Sequence, residues 1–255
     1  MIHQQWQTML TDEAAPEGPG LAYLPELAVI RFDGADAAGF LQGYLTCDTG
    51  DLEPGMLAPT ALCSLKGRVV LDGWCALDPD GRGILLVLHR SLAARLAEFL
   101  AMYLKFSRTS LEDVTARTLV LGSLDLADAS DAGGLRLDSR RRLYLFDDVD
   151  AATGLWTAEP HITAEAWLAA LTEDGFPLVT DPVSERFLPQ MLDLARLGAV
   201  DFEKGCYLGQ EVVARAQHRG EVKRRLARLT WDGATPPAPG TDVQDADGRS
   251  IGVIV

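Results

Sequence analysis

The chain has 255 residues, 47% hydrophobic and 24% charged, enough apolar material for a core without disulfide or metal staples. Its 37 acidic residues against 23 basic ones give a net charge of -14, which disfavours broad adhesion to nucleic acid or to an anionic membrane. No apolar run approaches the roughly 20 residues of a membrane helix. No unit of roughly 20–50 residues repeats, and the polar, acidic start lacks the basic and apolar regions of a signal peptide. A cytoplasmic monomer is expected.

Residues 1–20 read as a mobile tail. A strand is predicted over 27–32, ended by Asp33-Gly34. Residues 35–46 have helical spacing at Phe40, Leu41 and Leu45, interrupted by Gly43. The runs 56–65 and 69–77 are β-like and flank Lys66-Gly67, a hairpin turn signal. DPDGRG at 78–83 is a strong turn, and 84–89 is an apolar strand. Ser91 is expected to cap a helix whose stripe is Leu92, Leu96, Phe99, Leu100 and Tyr103. Another strand is expected over 114–124, then a loop over 125–134. Arg140, Arg141 and Arg142 read as a solvated strand edge before a strand over 143–146. Thr163 starts a helix bearing Trp167, Leu168 and Leu171, stopped by Gly175 and Pro177. After the stiff connector PPAPG, residues 241–255 read as a hairpin around Asp247-Gly248. Strands and helices mix without regular alternation and without a dinucleotide-binding glycine motif, so the fold class is α+β.

The cysteines, Cys47, Cys63, Cys75 and Cys206, include no Cys-x-x-Cys pair and no Cys/His cluster at zinc spacing. Free thiols and no metal site are expected. Cys47 and Cys75 read as small apolar fillers. Cys63, beside Lys66-Gly67, is read as structural, with the alternative that its hairpin brings a second thiol near Cys206.

The informative stretch is 201–225, DFEKGCYLGQEVVARAQHRGEVKRR. Gly205 and Gly209 bracket Cys206 and Tyr207, and Gln210-Glu211 open a helix-compatible run. Cys206 has a basic neighbour, Lys204, and a helix start behind it, the setting of a reactive thiolate; Glu203 and Glu211 oppose that effect. The same string also reads as a structural turn around a buried cysteine. Arg215, Arg219, Lys223, Arg224, Arg225 and Arg228 follow closely with His218. They suit a polyanion, such as a polyglutamate tail or an RNA phosphate, or a solvated helix face.

KGCYLGQE followed by VARAQHRG and KRR resembles the signature of the YgfZ family, relatives of the glycine-cleavage aminomethyltransferase (T-protein). GADAAGFLQGYLTCD at 34–48, Cys63 with Lys66-Gly67, and Trp167 with GFPLV and FLPQMLDLARLGAVDF extend the resemblance over about 27–230. It implies split α+β domains in a ring with a small C-terminal β-barrel. The expected units are 21–48 with 112–217 as a folate-binding domain, 49–111 as an inserted α+β domain, and 218–255 as a short or truncated barrel module. The implied function is that of a tetrahydrofolate-binding accessory protein. It would support assembly or repair of iron–sulfur clusters in a subset of enzymes, including tRNA-thiomethylating ones. The implied partners are folate and iron–sulfur proteins or assembly factors, with direct tRNA binding open. The alternative is a tetrahydrofolate-dependent aminomethyltransferase. The resemblance makes Cys206 the functional thiol. It makes Trp167, Lys204, Gly205, Tyr207, Gly209, Gln210, Glu211 and Arg215 the folate-site residues. Trp167 also reads as a plain core tryptophan on its helix stripe. A second family tryptophan is replaced here by Leu27, a departure that either lowers folate affinity or leaves the stacking to another ring.

Overall fold

The computed structural model describes residues 2–10, 14–79, 81, 83–126, 133–219, 222–232 and 235–255. Two antiparallel sheets organise the chain. The first has five strands in the order β3-β4-β5-β2-β6, formed by β2 (Leu27–Asp33), β3 (Ala58–Cys63), β4 (Val69–Leu77), β5 (Gly83–His89) and β6 (Ser110–Asp113). The second has four strands in the order β1-β7-β9-β8, formed by β1 (Gly20–Tyr23), β7 (Leu119–Leu124), β8 (Leu135–Arg136) and β9 (Arg141–Phe146). A separate hairpin pairs β10 (Asp242–Gln244) with β11 (Ser250–Val253). The helices are α1 (Ile2–Gln7), α2 (Ala37–Gln42), α3 (Ala93–Leu104), α4 (Val149–Ala158), α5 (Ala164–Glu173) and α6 (Gln210–Arg219). No helix among the described residues is long and apolar enough to cross a membrane.

The continuous apolar runs of β4 and β5 are buried along nearly their whole length, because both are inner strands covered on two faces. One face joins a core with α2, α3 and the segment 179–213; the other meets the second sheet and α5. A third cluster packs α1 and α4 on β1, β7 and β9. The five-stranded sheet crosses the expected unit boundaries, since β2 comes from 21–48 and β3 to β5 from 49–111.

Several expectations are corrected. The N-terminal segment is not simply a tail: α1 buries Trp6, whose ring lies edge-on to Trp156 at 5.5 Å. Residues 11–13 of that stretch, most of the loop at 127–132, and Asp80 and Arg82 of the 78–83 turn lie outside the described residues. The turn's frame is visible, with Gly81 N–H donating to Asp78 O at 2.8 Å. Ser91 does not cap α3. A 3-10 turn at Arg90–Leu92 intervenes, and the Ser91 hydroxyl accepts the Asp181 N–H at 3.0 Å. Arg141 is no solvated edge. β9 is paired on both sides, and the buried guanidinium reaches Asp138, Asp174 and the Ala170 carbonyl. The expected strand at 114–124 begins with a 3-10 turn, Thr115–Arg117, and only Leu119–Leu124 is strand. A closed barrel is not formed by the described residues after 218; the hairpin around Asp247-Gly248 is.

Candidate functional site

The expected helix over 35–46 stops at Gln42, and the reason lies some 160 residues away in sequence. The N–H groups of Gly43, Tyr44 and Leu45 still bond back to α2, but those of Thr46 and Cys47 turn to Ala61 O and Thr60 Oγ1 of β3, and carbonyls of residues 42–47 are taken by the segment 199–208. Thr46 Oγ1 donates to Ala199 O, and Asp201 N–H donates to Thr46 O at 2.9 Å. Leu208 N–H donates to Gly43 O at 3.0 Å. The Lys204 ammonium donates to the carbonyls of Gln42, Leu45 and Cys47 at 3.0, 2.7 and 2.6 Å. All three ammonium protons therefore have acceptors. Burial pulls the Lys204 pKa below its ordinary value, opposed by the charges around it, Asp48 and Asp201 among them. Asp48, Asp51 and Asp201 bring carboxylate oxygens within 4.8 Å of one another, a gathering their spacing in sequence does not reveal.

The turn itself is built by Asp201, whose carboxylate accepts the N–H groups of Glu203 and Lys204 at 2.7 and 3.1 Å. Gly205 has no neighbouring atom within 4 Å of where a Cβ would stand, and Cys206 is exposed. Tyr207 turns inward. Its ring lies 5.4 Å from Lys204 Nζ, and burial pushes its phenol well above the usual range. Its hydroxyl has no hydrogen-bond partner among the described residues.

Gly209 then meets the Cys63–Gly67 hairpin turn. At φ +83° it adopts a conformation that side chains disfavour, and a Cβ there would stand 2.4 Å from Ser64 O. Gly67, at φ +67°, is pressed in return by Val212 of α6. The two glycine motifs thus interlock. They bring Cys63 close to Gly209, yet Cys63 is fully buried and its thiol is pushed up to about 12 by burial. Cys63 is structural; it is not a second open thiol beside Cys206. Behind the turn, α6 is anchored by Val213 in the first core and by Gln190 Nε2, which donates to Val213 O at 2.9 Å. Its Glu211 and Arg215, one turn apart, are exposed.

The same chain is 30% identical over 251 residues to the tRNA-modifying protein YgfZ of Escherichia coli (strain 536), covering 88% of this chain and 76% of that one. It is 29% identical over 250 residues to the protein of the same name from Sodalis glossinidius, covering 88% and 75%. This chain belongs to the YgfZ family. No protein-family model matches it. Among solved structures it resembles the glycine cleavage system aminomethyltransferase T of Bartonella henselae, with a TM-score of 0.70 over 94% of this chain and 74% of that one. At 17% identity, that likeness establishes the T-protein type of α/β fold and nothing finer.

The residues expected to form the site of this YgfZ-family chain divide into two groups. Gly205, Cys206, Glu211 and Arg215 are open, and Gln210 is half-buried at the first turn of α6. Lys204, Tyr207 and Gly209 are packed inward and hold the turn. Lys204 does not serve Cys206 as an adjacent free cation. Its charge instead acts on Cys47 and Cys75 beneath the turn. Trp167 is in the second core, 0% exposed, with its indole N–H donating to Ser123 O at 3.1 Å and its ring against Gly122. The core reading of Trp167 therefore describes its setting, and a ligand would reach its ring only if that core opened. Leu27 is buried in the same cluster, where Trp74 stacks on Phe176 at 4.8 Å. The side chains of Lys223, Arg224, Arg225 and Arg228 are exposed, and that of Arg219 lies outside the described residues.

Proposed function

We propose that this chain is a folate-binding accessory protein that supports assembly or repair of iron–sulfur clusters in a subset of enzymes, including tRNA-thiomethylating ones. The observation that carries this reading is the exposed thiol of Cys206, held at the crest of the turn that Lys204 and Gly209 fix from below, in a chain of the YgfZ family. The open groups on α6 suit a folate. The Glu211 carboxylate can accept paired N–H donors of the kind a pterin edge presents, and Arg215 can pair with a glutamate carboxylate. Gly205 leaves room for a flat ring to approach the backbone. When bound, tetrahydrofolate supplies amine nitrogens that take up a one-carbon unit. The chain's own part is to orient the ligand on α6 and present a sulfur nucleophile beside it. The implied ring of domains and the β-barrel, of which the β10–β11 hairpin would be part, belong to the same proposal.

Three measurements test it. Cys206→Ser keeps the fold and tetrahydrofolate affinity, yet fails to restore thiomethylated tRNA or iron–sulfur enzyme activity in a strain lacking the protein. Full rescue by the serine variant would sink the thiol reading. Glu211→Ala and Arg215→Ala each weaken tetrahydrofolate binding about tenfold, the effect of losing one charged hydrogen-bonding partner. Unchanged affinity in both removes α6 from the folate site. Robust aminomethyl transfer from a lipoyl carrier would replace the accessory role with that of an enzyme.

A further inference from the structure

Where the first sheet meets the start of α3, an open cleft of about 250 Å³ is lined by Ala28, Arg90, Ala93, Asp113, Thr115 and Ala116. The local sequence builds both walls. The Asp113 carboxylate accepts the Thr115 N–H at 3.0 Å, which ends β6 and starts the Thr115–Arg117 turn. Val29 of β2 is then met by the Val114 N–H and by Thr115 Oγ1, each at 3.0 Å. His3 Nε2 lies 2.7 Å from Thr115 O and steadies the same turn. On the other wall β5 gives way to α3, and Arg90 is pinned twice. Its backbone N–H donates to Glu26 O at 2.7 Å, and its Nη1 donates to Pro25 O at 2.8 Å. Ala28, Ala93 and Ala116 are too small to fill the space between. Arg90 and Asp113 thus bring opposite charges to one cleft, yet neither takes part in an ion pair among the described residues. The charges beside them are already matched, Arg117 with Glu112 and Arg95 with Asp181. Each of the two is held on its own wall by a backbone group, so the pair stands open to a molecule that carries both complementary charges.

We propose that this cleft binds a free α-amino acid as its zwitterion. The ligand's carboxylate accepts from the Arg90 N–H groups that Pro25 does not use, and its ammonium donates to the Asp113 carboxylate. A small aliphatic side chain lies against the three alanines. The volume fits this class of ligand, since it falls below the roughly 300–1,000 Å³ of sites for drug-sized molecules. The backbone bonds that fix both charges are made before the ligand arrives, so binding spends little on ordering them. The cleft shares no residue with the Cys206 turn or α6, and the inference is independent of the folate reading.

The test titrates the full chain with L-valine and follows backbone amide shifts by NMR. Two one-ended analogues are run beside it: isovalerate, which lacks the ammonium, and isobutylamine, which lacks the carboxylate. Valine is expected to bind with a Kd of about 1 mM or tighter, moving the amides around Arg90, Ala93, Asp113 and Ala116. Each analogue should bind about tenfold more weakly, the effect of losing one charged hydrogen-bonding partner. Asp113→Asn keeps an acceptor for the Thr115 N–H and removes the charge. It should weaken valine about tenfold and leave isovalerate unchanged, whereas a merely disturbed turn would weaken both alike. Ala93→Leu fills the cleft without touching either charge and should abolish valine binding while the remaining amide spectrum stays that of the folded chain. Absent valine binding, equal affinity for either analogue, shifts centred elsewhere, equal loss of both ligands in Asp113→Asn, or full binding in Ala93→Leu would each overturn the proposal.

Discussion

Lys204 shows how a charged side chain inside a signature string can act on the backbone rather than on a ligand. Its three donors meet three carbonyls, at Gln42, the last residue of α2, and at Leu45 and Cys47 of the loop that follows. Lys204→Met removes all three bonds while keeping the length of the side chain. Hydrogen bonds to charged groups contribute about 1.5–3 kcal/mol each, but they share one desolvation cost, so the expected loss is about 2–4 kcal/mol in urea unfolding. Lys204→Arg should not rescue it, because a planar guanidinium cannot point three donors at one converging set of carbonyls. Rescue by arginine would mean that charge, and not the carbonyl cage, is what matters. Cys206 gives the companion measurement at this scale. Exposed where Cys47 and Cys75 are buried, it should be alkylated by iodoacetamide faster than either, and uniform rates would contradict the exposed turn.

At the scale of elements, the lock between the hairpin turn and the start of α6 rests on glycines that are not equivalent. Gly209 has a positive φ and faces a backbone oxygen, so Gly209→Ala should cost about 2–4 kcal/mol, combining strain with displacement of the β3–β4 turn. Gly205 has open space and no positive φ, so Gly205→Ala should cost under about 1 kcal/mol. Equal effects in thermal unfolding would refute the lock. β4 carries a second test. Asp72 is fully buried with Oδ1 accepting the Val179 N–H at 2.8 Å, and burial raises its pKa from 3.8 to about 7. Its folded pKa exceeds the unfolded one, so its contribution to stability is fully present below about pH 4 and is lost as pH rises through about 7. Asp72→Asn keeps the acceptor and cannot ionise. The variant should lose this pH dependence and exceed the wild type above pH 7 by on the order of 4 kcal/mol. A constant difference between the two proteins from pH 4 to 8 would exclude a buried titrating carboxyl.

Across the whole molecule, legibility in the sequence followed the range of the interactions. β2, β4 and β5 were readable because inner strands are continuous apolar runs, and the Thr163 cap of α5 is a local signal. KGCYLGQE was readable as a string, but the use of its lysine was not, since its acceptors come from α2 and the loop after it. Arg141 was misread for the same reason: its partner Asp174 lies beyond α4 and α5. α4 was missed although Asp148 caps it, because VDAATGLWTA has no clean apolar stripe. The first helix was missed because six residues hold too few turns to show a period. That helix offers a test of how the molecule closes. Trp6 is 1% exposed and packs against Tyr23 of β1 and Trp156 of α4, joining the chain's start to the second sheet. Trp6→Ala should cost about 3–5 kcal/mol, as for other buried tryptophans. Removal of the first ten residues should cost at least a similar amount, because Trp6 is the buried residue of α1 and Ile2 and Leu10 pack on the same cluster. Both changes should leave the Cys206 alkylation rate unchanged, since the third cluster shares no residue with the first core beneath the turn. A deletion that unfolds as the full chain does would return the segment to the status of a tail. A deletion that alters Cys206 reactivity would show that the two cores are coupled through the second sheet.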